Sequence, residues 1–189
     1  MQAYWFWRIA GAAGIVALVI LPGCLSGGGS EYYTLDMRRS PDARPANNIS
    51  VGAIALNEPL SQKNILIQKS PTQVEYYSVG QWSGGLDEMV REKLETEFGT
   101  RDPKARTLVL SGNLTAFEQV DVTSGAEAHV KLDAELREAG KSRYAPPLLR
   151  KTYDLRVPCK ASGANEAAVA LSRAVEQLAA QIAADAATL

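Results

Sequence analysis

A strict alternation of apolar and polar residues marks one segment of the chain as a β-strand. Every second residue of Ala126–Arg137 is apolar, and the residues between them are charged or histidine. A period of two places the apolar side chains on one face, which is typical of an antiparallel strand with one buried side. Turn residues separate it from Arg106–Val120 and Leu148–Pro158, which are rich in strand formers. The pattern predicts a three-stranded meander, whose last strand carries Leu149, Tyr153, Leu155 and Val157 on one face.

Four shorter strands are predicted nearer the N-terminus. They are separated by loops that contain proline, and they cover Glu31–Asp36, Ile49–Leu56, Asn64–Lys69 and Gln73–Val79. No internal repeat or second linker divides this region from the meander. We therefore expect one domain over residues 31–189.

Two amphipathic helices complete the set. In the first, apolar residues recur at three- and four-residue steps, and Gly99 can form the C-terminal cap; its apolar stripe is Leu86, Met89, Val90, Leu94 and Phe98. In the second, Asn165 can cap the start, and the stripe is Ala168, Leu171, Val175, Leu178 and Ile182. The order of elements predicts an α+β fold, an antiparallel sheet with two amphipathic helices packed on it.

The N-terminus contains an uninterrupted apolar run, Ile9–Leu21. As a helix this run would span about 20 Å, which is short of the roughly 30 Å of a bilayer core. It has the length of the apolar region of a secretory signal peptide. A transmembrane anchor extended back through Tyr4–Trp7 is the alternative, but Arg8 interrupts it and Pro22 closes it.

The run ends in "LPGC", which resembles the bacterial lipobox, where lipid is attached to the cysteine sulfur and the chain is cleaved before it. Leu21 and Gly23 match this motif, whereas Pro22 departs from it. The resemblance implies a signal peptide over residues 1–23 and a lipidated Cys24, followed by a flexible Gly/Ser tether to residue 30. By resemblance to the sorting rule of such lipoproteins, Leu25 favours the outer membrane over the inner membrane.

Lipidation also decides how the two cysteines of the chain are interpreted. A disulfide between Cys24 and Cys159 is excluded if Cys24 carries acyl chains. Cys159 then remains as a single thiol, which we expect to be buried as a small hydrophobic residue.

Charge and residue types give little indication of catalysis. The net charge of −1 does not favour nucleic-acid binding. The single histidine, His129, lies on the charged face of its strand, where we expect a surface residue. Cysteine and histidine are too few for a zinc site, and no phosphate-binding glycine motif follows a strand. We therefore expect no enzyme, no metal and no cofactor; an envelope hydrolase that depends on His129 is the catalytic alternative.

A resemblance to a known family is carried by Glu75–Gly99, where a tyrosine-bearing strand leads through a tryptophan into an amphipathic helix. The chain resembles the auxiliary lipoproteins of ABC transport systems that work with mammalian-cell-entry (MCE) proteins, the PqiC family. The other motifs that agree in order are the lipobox, "YYTLD", "ISVGAIAL", "NILIQKS" and the Ala-rich last helix. The link "WSGGL" departs from the family pattern. The resemblance implies a non-catalytic accessory subunit that docks the MCE protein, with its ABC permease and ATPase, at a membrane.

Tyr76, Tyr77 and Trp82 are the candidate partner-contact residues, because large amphipathic side chains are enriched at interface centres. Packing of the first helix onto the sheet is the alternative role for at least two of them. A basic loop offers a second candidate surface, for anionic lipid headgroups, and its residues are Arg38, Arg39 and Arg44.

Other functions stay open at this stage. An independent lipid carrier would hold an acyl chain between helices and sheet. The sequence does not decide whether several copies form a homo-oligomer.

Overall fold

The computed structural model describes residues 29–41, 48–99, 104–142 and 144–189. The predicted signal peptide, Cys24, Leu25 and Arg44 lie outside the described residues. The elements in chain order are β1 (Glu31–Tyr33), β2 (Asn48–Leu56), a 3₁₀ turn (Glu58–Ser61), β3 (Asn64–Ser70), β4 (Gln73–Trp82), α1 (Leu86–Phe98), β5 (Thr107–Val122), β6 (Gly125–Glu138), β7 (Leu149–Pro158) and α2 (Ala164–Ala186).

The meander and both helices are confirmed. β5, β6 and β7 pair antiparallel in chain order, and every apolar residue of the alternating segment in β6 is buried. The predicted apolar stripes of both helices are also buried. Gly99 ends α1 with a φ of 73°, a conformation that favours glycine. Gly163 rather than Asn165 is the N-cap of α2, so the predicted cap was wrong.

The prediction of an antiparallel sheet was wrong in part, because the sheet is mixed. β2 runs parallel to the first half of β5, from the Asn48–Thr107 pair to the Leu56–Leu114 pair. β3 runs parallel to the second half of the same strand. The two short strands thus lie end to end along β5, with the 3₁₀ turn between them. Alternation within one strand reports its buried face but not the direction of a partner that is distant in sequence.

The remaining strands extend the sheet beyond β3. β3 and β4 form an antiparallel hairpin, and β1 pairs parallel with the end of β4, from Glu31 opposite Gly80 to Tyr33 opposite Trp82. The strand order is β1-β4-β3-β5-β6-β7, with β2 beside β5.

Both helices pack on one face of the sheet, where α2 contacts β6 and β7 and α1 contacts β2 and α2. The interface is filled by fully buried side chains, among them Val90, Leu94, Leu171, Val175 and Leu178. Each such side chain contributes about 1.5 to 3 kcal/mol by its removal from water. Within the described part of the chain, neither helix is long and apolar enough to cross a membrane.

A fully buried lysine joins the two helices to the segment that follows β1. The Nζ of Lys93 in α1 lies 2.7 Å from the Glu97 carboxylate and 3.0 Å from that of Glu176 in α2, and donates a hydrogen bond to the Arg38 carbonyl oxygen. Glu97, also buried, accepts a hydrogen bond from the Ser40 backbone N–H. These contacts satisfy charges that would otherwise be costly to bury.

The C-terminal end of α2 is tied to β7 by a carboxylate. Asp185 accepts hydrogen bonds of 2.7 Å from the Tyr153 hydroxyl and from the Lys151 ammonium. Burial opposes ionisation of Asp185, but these two donors outweigh it and hold its pKa below the ordinary value of 3.8. Burial and the adjacent carboxylate raise the pKa of Tyr153.

Replacing Asp185 with asparagine is expected to flatten the acid dependence of stability. Because the folded pKa lies below the unfolded one, the carboxylate stabilises the fold above the unfolded value, and this stabilisation disappears as pH falls through the folded value. We expect D185N to cost about 1 kcal/mol at neutral pH. Urea unfolding at neutral pH and near pH 2 should show a smaller acid loss in D185N than in the wild type. The exposed Glu75→Gln variant is the control; an unchanged acid slope in D185N would contradict the assignment.

Candidate functional site

A groove opens where the chain leaves β4 and enters α1. Its volume is about 730 Å³, and it lies between the 3₁₀ turn and the N-terminal end of α1. The walls combine apolar side chains with polar groups, and the residues that shape it most are Tyr32, Ile54, Leu60, Lys63, Trp82 and Leu86.

Trp82 forms the floor of this groove. It is only 3% exposed, and its ring packs tilted against Phe117 with 5.7 Å between centroids. Its backbone N–H donates a hydrogen bond to the Lys63 carbonyl, and the next residue, Ser83, donates one to the Tyr33 carbonyl. These bonds fix the link between β4 and α1. Trp82 is therefore a buried core residue at the point where the chain leaves the sheet for α1.

Tyr76 and Tyr77 point to opposite faces of the sheet. Tyr77 is half-buried on the helix side, where its hydroxyl donates a 2.7 Å hydrogen bond to the Gln119 side chain and burial raises its pKa. Tyr76 is 39% exposed and donates to the Pro59 carbonyl oxygen. The three predicted contact residues thus do not form one surface, and Tyr76 is the most exposed of them.

Sequence reasoning missed Tyr32 as a groove residue. It is 67% exposed and lies opposite Gln81, because β1 pairs with the end of β4. The parallel pairing between β1 and β4 thus brings Tyr32 to the groove that Trp82 also lines, although fifty positions separate the two residues in the sequence. The one signal in the sequence that could have indicated a role for Tyr32 is that it forms an aromatic pair with Tyr33 at the start of the domain.

The Ser83-Gly84-Gly85 link keeps the groove open. Gly84 has no neighbouring atom within 4 Å of the position that a Cβ would take, and Gly85 caps α1 without a side-chain hydrogen bond. The first backbone N–H groups of a helix have no partner within the helix. The groove thus combines an apolar floor with backbone donors at its rim, which suits binding of a polypeptide segment.

His129 is buried, which corrects the expectation of a surface residue. It is 8% exposed because Glu118 of β5 and Asp154 of β7 flank its ring, at 3.1 Å from Nδ1 and 2.9 Å from Nε2. Alternation indicated the face of the strand correctly but not the carboxylates that neighbouring strands bring over it. They contact opposite nitrogens of the imidazole, and residues 29–41, 48–99, 104–142 and 144–189 contain no group of three or more metal-ligating side chains.

The other candidates have local roles. Cys159 is a half-buried free thiol whose pKa is raised by burial. Arg38 is largely exposed and pairs with Asp36 at 2.6 Å, which lowers the pKa of that carboxyl. Arg39 lies over Gly99 at the end of α1.

A family described as "ABC-type transport auxiliary lipoprotein component" matches residues 33–183. Two solved structures share the fold. One, an uncharacterized protein, has a TM-score of 0.65 and 17% identity, over 84% of this chain and 99% of its own. The other, protein XCC0632 from Xanthomonas campestris, has a TM-score of 0.64 and 16% identity, over 80% of this chain and 91% of its own. No curated protein shows significant sequence similarity.

Proposed function

Because the chain belongs to the family of ABC-type transport auxiliary lipoprotein components, we propose that it is a non-catalytic accessory subunit that docks an MCE-type protein of a lipid transport system at a membrane. The observation that carries this proposal is the family match over nearly the whole folded domain. The groove beside Trp82 supplies a surface on which the partner can bind.

The groove is suited to docking because its floor is rigid and its rim is accessible. Trp82 and Leu86 are held by the core and do not have to be ordered when a partner binds. Tyr32 stands at the rim with two thirds of its surface exposed. A preorganised apolar floor beside an exposed aromatic residue lowers the entropic cost of association and is common at interface hot spots.

The domain is expected to be anchored to a membrane through its N-terminal segment. Tyr32 follows Cys24 by eight positions in the sequence, so acyl chains on Cys24 would hold the groove near the bilayer surface. We place the domain on the periplasmic side, with the outer membrane favoured by Leu25. In this arrangement the groove lies close to the membrane, where a partner protein at the same membrane can reach it.

A carrier function is less well supported. An acyl chain between helices and sheet would have to displace fully buried residues such as Val90, Leu94 and Leu171. Catalysis is likewise not favoured, because His129 is held between two carboxylates and does not line the groove. We infer a binding subunit rather than an enzyme.

Co-purification tests the proposal directly. The tagged full-length protein, cross-linked in cells and purified from membranes, is expected to carry an MCE-domain protein and its permease, identified by mass spectrometry. Repeated purification without either protein would overturn the proposal.

Replacing Tyr32 with alanine should weaken that association. An exposed aromatic hot spot contributes about 2 kcal/mol, so we expect roughly a thirtyfold lower affinity for the MCE protein. The variant should fold normally, because truncation of an exposed side chain changes stability by only about 0.5 kcal/mol. The control is Tyr144→Ala, which removes an 81% exposed tyrosine from the loop between β6 and β7. Equal capture by Y32A and Y144A would place docking outside the groove.

A further inference from the structure

A second cleft lies between the segment after β1 and the N-terminal half of α2. Its volume is about 420 Å³, and it is separate from the groove beside Trp82. The residues that matter here are Asp36, Arg38, Asn165, Val169, Arg173 and Glu176.

Arg173 in this cleft has a buried donor without an acceptor. Its Nη2 is shielded from solvent and makes no hydrogen bond, and no ion pair of Arg173 is found among the described residues. A guanidinium cannot lose its charge at ordinary pH, so a buried N–H of this group lowers stability unless an acceptor reaches it. Arg173 thus resembles a ligand-binding arginine more than a structural one.

The other charges that line the cleft are already paired. Asp36 forms its ion pair with Arg38 at 2.6 Å, and Glu176 forms one with the buried Lys93 at 3.0 Å. The hydroxyl of Ser172, between them, accepts a hydrogen bond from the Asp36 N–H and donates one to the Ala168 carbonyl. Arg173 is therefore the lining charge without an ion-pair partner among the described residues.

We propose that this cleft binds a phosphate group, with Arg173 as its main ligand. Guanidinium groups bind phosphate oxygens through paired hydrogen bonds. The cleft reaches Asn165 in the first turn of α2, a 23-residue helix without a side-chain N-cap, and the positive end of a helix favours an anion.

The surroundings favour a phosphate that carries an organic substituent. The cleft is much larger than an inorganic phosphate ion, and Val169 gives its helix wall an exposed apolar side chain. A phospholipid headgroup has this chemistry. The site stands on the geometry around Arg173 and does not depend on docking of an MCE protein.

Ligand-induced stabilisation of the full-length protein in a nonionic detergent tests the site. The probes are inorganic phosphate and dihexanoyl phosphatidylglycerol, added at constant ionic strength. A ligand that binds only the native state raises the thermal midpoint with its concentration, so the dependence gives an apparent affinity. Arg173→Gln is the test variant, and Arg173→Lys keeps the charge without the planar fork. Arg150→Gln makes the same charge change at a side chain that is 71% exposed on the opposite face.

We expect the lipid to bind more tightly than inorganic phosphate. R173Q should weaken both affinities by about tenfold or more, R173K should fall between, and R150Q should match the wild type. A response to phosphate alone would support the site and identify free phosphate as its ligand. Equal responses of wild type and R173Q, or no response of the wild type to either probe, would overturn the proposal. If R173Q does not fold, the apparent affinities of R173K and R150Q are compared instead, and equal affinities would overturn the proposal.

Discussion

Replacing Lys93 with alanine is expected to lower the free energy of unfolding by about 3 to 5 kcal/mol. The substitution removes the cation that faces Glu97 and Glu176 and that donates to the Arg38 carbonyl. Glu97, which is itself buried, would be left as a charge without compensation. Because whole domains are stable by only about 5 to 15 kcal/mol, the variant should unfold at a clearly lower urea concentration, followed by far-UV circular dichroism.

Two further variants separate the buried charge from the helix that carries it. Arg91→Ala removes a cation from the same helix, but its pairs with Glu88 and Glu95 are partly exposed, so we expect a loss below about 1 kcal/mol. The double variant Lys93→Met with Glu97→Leu should recover part of the stability lost in K93A, because apolar replacements of a buried ion pair are often tolerated. A loss in K93A no larger than that in R91A would contradict the role of Lys93.

Replacing Cys24 with alanine should move the protein from the membrane fraction to the soluble fraction. The acyl chains expected on its sulfur contribute about 0.8 kcal/mol per buried CH₂, so two or more chains anchor a protein stably and their loss releases it. The fold should be unchanged, because the first strand begins only at Glu31. Fractionation of cell envelopes with immunodetection measures the change.

The second cysteine provides a matched control. Cys159→Ala removes the half-buried thiol that follows β7, and this variant should stay in the membrane fraction. Retention of C24A in the membrane after a carbonate wash would instead favour an anchor formed by the apolar N-terminal run.

Local periodicity predicted the elements well because it reflects interactions within one segment. The apolar stripes of α1, α2 and β6 face the core as expected. The parallel pairing of β2 with β5 could not be predicted in this way, because it depends on residues that are distant in the sequence. The same limit applies to Lys93: its partner Glu97 is four residues away on the helix, but Glu176 and Arg38 meet it only in the folded chain.

Some residues of the candidate site could be predicted from the sequence, and others could not. The sequence drew attention to Trp82 because a large aromatic residue precedes a helix, and the structure places it on the floor of the groove. Tyr32 reaches the same groove only through the register between β1 and β4, and Arg173 lines a cleft only because residues 33–38 lie against α2. His129 was assigned to the correct face of its strand, but its burial depends on Glu118 and Asp154 from neighbouring strands.

The pairing of both β2 and β3 with one edge of β5 has a consequence for synthesis. β2 and β3 leave the ribosome before the strand with which both pair in parallel, and α1 separates β4 from that strand in the sequence. Until Thr107–Val122 arrives, the only local partner of β3 is β4, and β2 presents an unpaired edge. Strand pairing across such distances is slow and exposes edges to aggregation. The N-terminal half of the domain is therefore open to aggregation until β5 has been synthesised.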